Sequence, residues 1–313
     1  MAPIALDDAQ QALLELLRLL DAAAYDFTTV TPASHWRVLD REEDRVAEDL
    51  RDLLGWSLAG PDGFAGAVRA LLDRAGAVAP DERGWRSRLR VSRVAGRLFL
   101  HSAFPPRARD SVFLGPDTYR FVRFIRQQIG DTGGLKRVAD IGAGAGVGGI
   151  VAAGLAGAAS LELTDVNPAA LRLAAVNAAH AGVEGRLVEC RGLEGVEGGL
   201  DLVVANPPFM NGASGRTYSA GGDMHGGQMS LDWSREAVDK LARGGRLLLY
   251  TGSAILRGGE DRMRAGLEGI AAKAGCTLAY EEIDPDIFGD VLSQDAYAEV
   301  ERIAAVGAVL TRG

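Results

Sequence analysis

The sequence predicts an α/β fold, a doubly wound parallel sheet preceded by a mainly helical N-terminal domain and a β-hairpin. Three observations support this prediction. From Lys136 onward, short apolar runs typical of buried strands alternate with segments of helical periodicity. A glycine-rich turn, Asp140-Ile-Gly-Ala-Gly-Ala-Gly146, follows the first of these strands, and such sheets bind ligands beyond their strand ends. A later apolar run, 200–205, leads into Asn206-Pro-Pro-Phe209.

The first domain, 1–115, is predicted to be mostly helical. Residues 5–24 place leucines at helical spacing on one face, and further amphipathic runs cover 40–54 and 64–75. Residues 89–94 and 97–101 alternate like strands around Ala95-Gly96, which predicts a hairpin.

The second domain, 116–313, begins with a predicted helix at 116–128. Its predicted strands are 137–141, 160–164, 186–189, 200–205, 246–250 and 277–282, with a final strand in 298–311. Its further predicted helices are 148–156, 168–181, 231–242 and 260–274. Alternation of this kind builds a parallel sheet with right-handed crossovers.

Composition is that of a soluble globular protein. The chain has 313 residues, 47% hydrophobic and 24% charged. No apolar run reaches the ~18 residues of a membrane span, and Asp7 and Asp8 open an amphipathic N-terminus unlike a signal peptide. We therefore expect a cytoplasmic protein without a membrane partner. Two cysteines and four histidines, without metal-ligand spacing, predict no metal site.

The net charge of −8 is unevenly distributed. Between Arg83 and Arg126 there are eleven arginines and two acids, so this segment carries +9 and the remainder −17. Such a segment can present a basic face to an anionic partner. The alternative is compositional bias, since the chain has 31 arginines and three lysines.

The two motifs together resemble the class I S-adenosylmethionine-dependent methyltransferases, over about residues 117–311. The resemblance implies a seven-stranded Rossmann-like sheet with an antiparallel strand inserted near its edge. It also implies S-adenosylmethionine as the cofactor. The glycine turn alone is less specific, because nicotinamide-binding folds use similar turns, but the order Asp-x-Gly-x-Gly is typical of methyltransferases.

The resemblance assigns donor-binding roles to five residues. Gly142 and Gly144 let the backbone approach the methionine part of the donor, and Asp140 meets its ammonium group directly or through water. Asp165 accepts hydrogen bonds from the ribose hydroxyls, and Val166 packs on the adenine. Related enzymes carry an acid after the third strand for the adenine amino group. Here Gly192 or Leu193 occupies that place, so Glu194 or a backbone carbonyl is left to substitute.

The Asn-Pro-Pro-Phe motif indicates methylation of a planar nitrogen, whose lone pair is delocalised into a π-system. The side-chain carbonyl of Asn206 and the backbone carbonyl of Pro207 are placed to accept its hydrogens. Phe209 offers a stacking surface, and Pro208 stiffens the substrate-binding loop. The alternative is that Asn206 merely caps a turn before two prolines.

A segment with six glycines in eighteen residues, 210–227, follows the motif and is predicted to close over substrate. Its candidate substrate contacts are Tyr218 and His225, with Arg216 and Asp223 as further candidates.

The layout is most similar to that of the release-factor glutamine methyltransferases, although Phe209 in place of Tyr is closer to the ribosomal RNA guanine enzymes. The expected methyl acceptor is therefore an RNA base amine or a protein glutamine, such as that of a release factor. Three alternatives stay open. They are an N-methyltransferase of a small-molecule amine, a non-catalytic RNA-binding relative, and a nicotinamide-dependent oxidoreductase.

Overall fold

The computed structural model describes residues 4–41, 44–106, 108–130, 134–209 and 224–313. In the N-terminal part four helices are present: α1 (Asp8–Ala22), α2 (Pro32–Leu39), α3 (Leu50–Leu54) and α4 (Gly66–Arg74). The prediction of one helix over 40–54 was wrong, because the helix there starts only after its N-cap, Asp49, whose side chain accepts from the Asp52 amide. Sequence periodicity also missed α2, which is capped by Thr31.

Two hairpins follow the N-terminal helices. The predicted one is confirmed as β3 (Leu89–Val94) and β4 (Arg97–Ser102), paired antiparallel. A second, unpredicted hairpin precedes it, formed by β1 (Val78–Asp81) and β2 (Gly84–Ser87).

The remaining elements alternate as the sequence predicts. The helices are α5 (Pro116–Ile129), α6 (Val147–Ala156), α7 (Pro168–Ala181), α8 (Gln228–Lys240) and α9 (Arg262–Ala274). The strands are β5 (Arg137–Ile141), β6 (Ser160–Asp165), β7 (Arg186–Glu189), β8 (Leu200–Ala205), β9 (Leu241–Leu256), β10 (Glu260–Asp261), β11 (Cys276–Asp284) and β12 (Val300–Arg312). Strand β9 is much longer than the predicted 246–250, because it continues at both ends along its neighbours β8 and β12.

The central sheet confirms the doubly wound α/β prediction. Its strand order is β11-β12-β9-β8-β5-β6-β7, with β10 paired to β9 outside this path. The strands from β7 to β9 are parallel, and β12 lies antiparallel between β9 and β11, as the resemblance implied. Strand order reverses at β5, whose neighbours are β6 and β8, and ligands bind at such switch points.

The N-terminal part and the sheet share one apolar core. Asn177, on α7 and fully buried, makes three hydrogen bonds, two of which reach the N-terminal part. Its side chain accepts from the Leu100 amide (2.8 Å) and donates to the carbonyls of Leu100 (3.1 Å) and Ala145 (2.8 Å). Leu100 belongs to the hairpin and Ala145 to the glycine turn, so one amide side chain joins both. None of the helices in the described ranges has the length and apolarity needed to cross a membrane.

Candidate active site

The sheet brings the two sequence motifs to one edge. In the parallel register, Ile141 at the end of β5 is paired with Thr164 of β6 on one side and Ala205 of β8 on the other. The residues that follow these strand ends, including Gly142 and Asn206, therefore lie side by side. This arrangement is the one that a shared ligand edge requires.

Asp165 ties the end of β6 to the glycine turn. Its Oδ2 accepts from the Gly144 amide at 2.9 Å, and its Oδ1 accepts from the Asn167 amide at 2.8 Å. Burial raises the pKa of Asp165 above its ordinary value, while the amides of Asn167 and Gly144 act in the opposite direction. Next to it the Val166 side chain is 49% exposed, so an apolar surface lies beside the carboxylate.

Asp140 lies deeper than the partly exposed Asp165, with only 2% of its surface exposed. Its Oδ2 accepts from the Gly149 amide at 2.7 Å, in the first turn of α6. Burial and, to a smaller extent, the nearby Asp165 raise the pKa of Asp140 to about 7, although the Gly149 hydrogen bond acts in the opposite direction. The carboxyl group thus fastens α6 to the sheet, and its contact with a ligand ammonium remains a prediction.

Gly142 and Gly144, the two glycines predicted to let the backbone approach the donor, differ in their surroundings. Among the described residues, no atom other than those of its chain neighbours lies within 4 Å of the place where a Cβ of Gly144 would be, so the turn is open there. A Cβ on Gly142, whose φ is +64°, would instead collide with the indole of Trp233 on α8. Gly142 is therefore needed for the close approach of α8, and Trp233 forms a wall over the turn.

The acceptor motif follows β8 without regular secondary structure. Pro207 is buried, whereas Asn206, Pro208 and Phe209 are partly exposed. Within the described ranges the Asn206 side chain makes no hydrogen bond, and its amide is therefore available to a ligand. Phe209 presses against the β9 backbone so closely that a Cβ on Gly252 would collide with its ring.

Phe288 forms a second aromatic surface beside the motif. Its ring meets that of Phe209 edge-on, with centroids 5.7 Å apart and an interplanar angle of 60°. Phe288 is 41% exposed and has a φ of +55°, a conformation that costs energy for an aromatic residue. Exposure and backbone strain in one residue are typical of functional loops.

The glycine-rich segment is only partly described. Tyr218, Arg216 and Asp223 lie outside the described residues. His225 packs on Tyr297, with ring centroids 5.8 Å apart, and its backbone carbonyl accepts from the Tyr297 hydroxyl at 3.3 Å. Across the described ranges, no group of three or more His, Cys, Asp or Glu side chains is placed to hold a metal ion.

The basic segment is largely engaged within the protein. Arg93 donates to the Tyr25 carbonyl and to Asp21, and Arg120 pairs with Asp117 and Asp284. The further arginines with carboxylate or carbonyl partners are Arg83, Arg86, Arg88, Arg90 and Arg97. Most arginines of the segment therefore have partners within the protein.

Sequence reasoning missed the contribution of α8. Trp233 covers the glycine turn. Glu236, one helical turn later, places its carboxylate against the loop after β7, where Oε1 accepts from the Leu193 amide at 2.6 Å. Only the i, i+3 spacing of these two residues signalled a shared helix face.

Residues 123–251 match the family model of the methyltransferase small domain. A release factor glutamine methyltransferase of Deinococcus radiodurans is 36% identical over 126 residues, covering 36% of this chain and 44% of the relative. A ribosomal RNA small subunit methyltransferase C of Hahella chejuensis is 34% identical over 114 residues, covering 36% of this chain and 30% of the relative. The aligned part thus spans less than half of either relative.

Among solved structures, the complex of aTrm5 and tRNALeu is similar with a TM-score of 0.50 and 15% identity. The similarity covers 74% of this chain and 54% of the other and shows a shared fold. Sheet topology, glycine turn and family model agree on one assignment. Residues 123–251 are similar to the methyltransferase small domain, the family whose model they match.

Proposed function

We propose that the protein is an S-adenosylmethionine-dependent N-methyltransferase that acts on a planar nitrogen of a macromolecule. The observation that carries the proposal is the position of the Asn206-Pro-Pro-Phe209 motif. It leaves β8 directly beside the glycine turn of β5, so a nitrogen bound at Asn206 lies next to the donor site.

The residues at the turn fit the proposed donor. The open side of Gly144 leaves room for a ligand against the backbone, and the exposed face of Val166 suits an apolar base. Asp165 uses its carboxylate oxygens on two amides, and each oxygen retains a lone pair for a ribose hydroxyl. When bound, S-adenosylmethionine supplies an electrophilic methyl group on its sulfonium.

The acceptor side suits a nitrogen that is a weak nucleophile. The Asn206 and Pro207 carbonyl groups accept the two hydrogens of an NH₂ group and thereby turn its lone pair towards the methyl group. Phe209, held against Gly252 and Phe288, provides a ring face for a planar substrate. Because the loop is stiffened by two prolines, these groups need little reorganisation during transfer.

The acceptor that we propose is an exocyclic amine of an RNA base or the amide of a protein glutamine. The name of the relative from Hahella chejuensis gives ribosomal RNA as its substrate, and that of the relative from Deinococcus radiodurans gives a release-factor glutamine. Both acceptors present the same NH₂ group on an sp² carbon, which is the group that Asn206 and Pro207 fit.

Two measurements test this proposal. Calorimetric titration with S-adenosylhomocysteine, with reduced nicotinamide cofactor as a control, tests the donor site. Micromolar binding of the first ligand alone is expected, and absence of binding would refute the donor assignment. Transfer of labelled methyl from the donor is then measured with ribosomal RNA, release factors and small amines, each also with Asn206→Ala. Labelling of small amines alone would refute the macromolecular acceptor.

A further inference from the structure

The carboxylate of Glu236, on α8, occupies the space that a side chain at Gly192, in the loop after β7, would fill. Gly192 has a φ of +58°, and a Cβ there would collide with the carboxylate of Glu236. The same carboxylate accepts from the Leu193 amide at 2.6 Å through Oε1. Glu236 thus places an acidic group at a loop position whose own residue has no side chain.

This loop is tied to the end of β6, next to the residues proposed to hold the ribose and base. The Cys190 amide donates to the Asp165 carbonyl at 3.1 Å. The buried Thr164 hydroxyl donates to the Gly192 carbonyl at 2.7 Å. The loop therefore continues the ligand edge beyond Asp165, on the β7 side of the sheet.

If the donor's ribose binds Asp165, the neighbouring residues define the surroundings of its base. Val166 offers it an exposed apolar face, and α8 lines the opposite side of the strand ends with Trp233 over Gly142. The polar edge of the base then meets the loop after β7. One side-chain acceptor at that loop is the Glu236 carboxylate, whose Oε2 lies in the Gly192 side-chain space.

We propose that Glu236 binds the exocyclic amine of the donor's adenine and selects adenine over a 6-oxo purine. This inference rests on the proposed donor site. The adenine amine donates hydrogen bonds, which a carboxylate accepts, whereas a 6-oxo purine would turn an oxygen towards the same negative charge. The carboxylate that binds the adenine amine is thus supplied by α8, a helix distant in sequence from the loop after β7.

Glu194 is the competing candidate, since it lies in the same loop. Its side chain is exposed, and its backbone amide donates to the Arg191 carbonyl at 3.1 Å. Glu236 is partly buried and already engaged with the loop backbone. The same Glu→Gln substitution at the two positions therefore makes a matched pair.

The experiment compares the binding of S-adenosylhomocysteine and S-inosylhomocysteine, which carries oxygen in place of the adenine amine. Both ligands are titrated calorimetrically into the wild-type protein, Glu236→Gln and Glu194→Gln, with thermal melts to verify folding. In Glu236→Gln the new side chain keeps an oxygen for the Leu193 amide and offers an NH₂ group to the 6-oxo group.

The wild type and Glu194→Gln are expected to prefer S-adenosylhomocysteine by ~30-fold, in the range of hydrogen bonds to charged groups. In Glu236→Gln the ratio should fall to within ~3-fold of unity. An unchanged ratio in folded Glu236→Gln, or a collapsed ratio in Glu194→Gln, overturns the assignment while leaving the donor site intact. Failure of the wild type to bind either ligand overturns the donor site and this inference together.

Discussion

The buried carboxyl group of Asp140 gives the fold a pH dependence that one isosteric substitution should remove. Its pKa is raised from 3.8 to about 7, mainly by burial, and its Oδ2 accepts from the Gly149 amide. Between these two pH values the unfolded chain ionises this group while the folded protein keeps it protonated. The contribution of Asp140 to stability therefore falls as pH rises from about 4 to about 7, and does not change further above that range.

The magnitude follows from the shift. At about 1.4 kcal/mol for each pKa unit, Asp140 lowers the free energy of unfolding by about 4 kcal/mol across the whole window. The asparagine side chain of the Asp140→Asn variant does not titrate, and its oxygen can still accept from Gly149. The variant should therefore gain stability relative to the wild type by about 3 kcal/mol between pH ~4.5 and pH ~7.5.

Urea unfolding of both proteins at intervals between pH ~4.5 and pH ~7.5, followed by far-ultraviolet circular dichroism, measures this difference. Stability curves that run parallel over the whole range would refute the reasoning, because they would mean that Asp140 titrates alike in the folded and unfolded states. Titration of the variant with S-adenosylhomocysteine separately tests the predicted ammonium contact.

Three further substitutions test the site. Asn206→Ala should reduce turnover by ~10²-fold or more, with donor affinity nearly unchanged in calorimetry; intact turnover would rule out its role in positioning the nitrogen. Asp165→Ala should weaken S-adenosylhomocysteine binding by ~10-fold or more, since it removes the predicted ribose acceptor and the partner of the Gly144 amide. Unchanged affinity would place the ribose elsewhere. Gly142→Ala should lower the free energy of unfolding by ~1–3 kcal/mol, because of its positive φ and the collision with Trp233. Adding Trp233→Leu should recover part of that loss, and a fully additive double variant would contradict the collision.

The core of the α/β domain was predictable because its signals are local. Helix α7 was predicted with its observed bounds, since Asn167 caps its start through the Ala169 amide and the left-handed Gly182 ends it. Strands β5, β7 and β8 were likewise predicted from short apolar runs flanked by turns. Where caps were misjudged, as at Asp49, the prediction of helix bounds was wrong.

Only those residues of the candidate site that lie at the ends of parallel strands were predictable from the sequence. Asp165 ends one strand and Asn206 follows another, so topology alone brings them to one edge. Trp233, Glu236 and Phe288 come from other elements, and their side chains reach the edge through tertiary packing that no local pattern encodes.

The hydrogen bonds of Asn177 limit which hairpins from related proteins can replace the native one in a chimera. Among the described residues, its side-chain amide hydrogen-bonds only to main-chain atoms, those of Leu100 in the hairpin and Ala145 in the glycine turn. A hairpin of different side-chain sequence can replace the native one, provided that a backbone amide and carbonyl occupy the same place. Removing the hairpin would instead leave the amide with one of its three bonds. Chimeras should therefore be designed around the backbone position of β4 and tolerate changes in its residues.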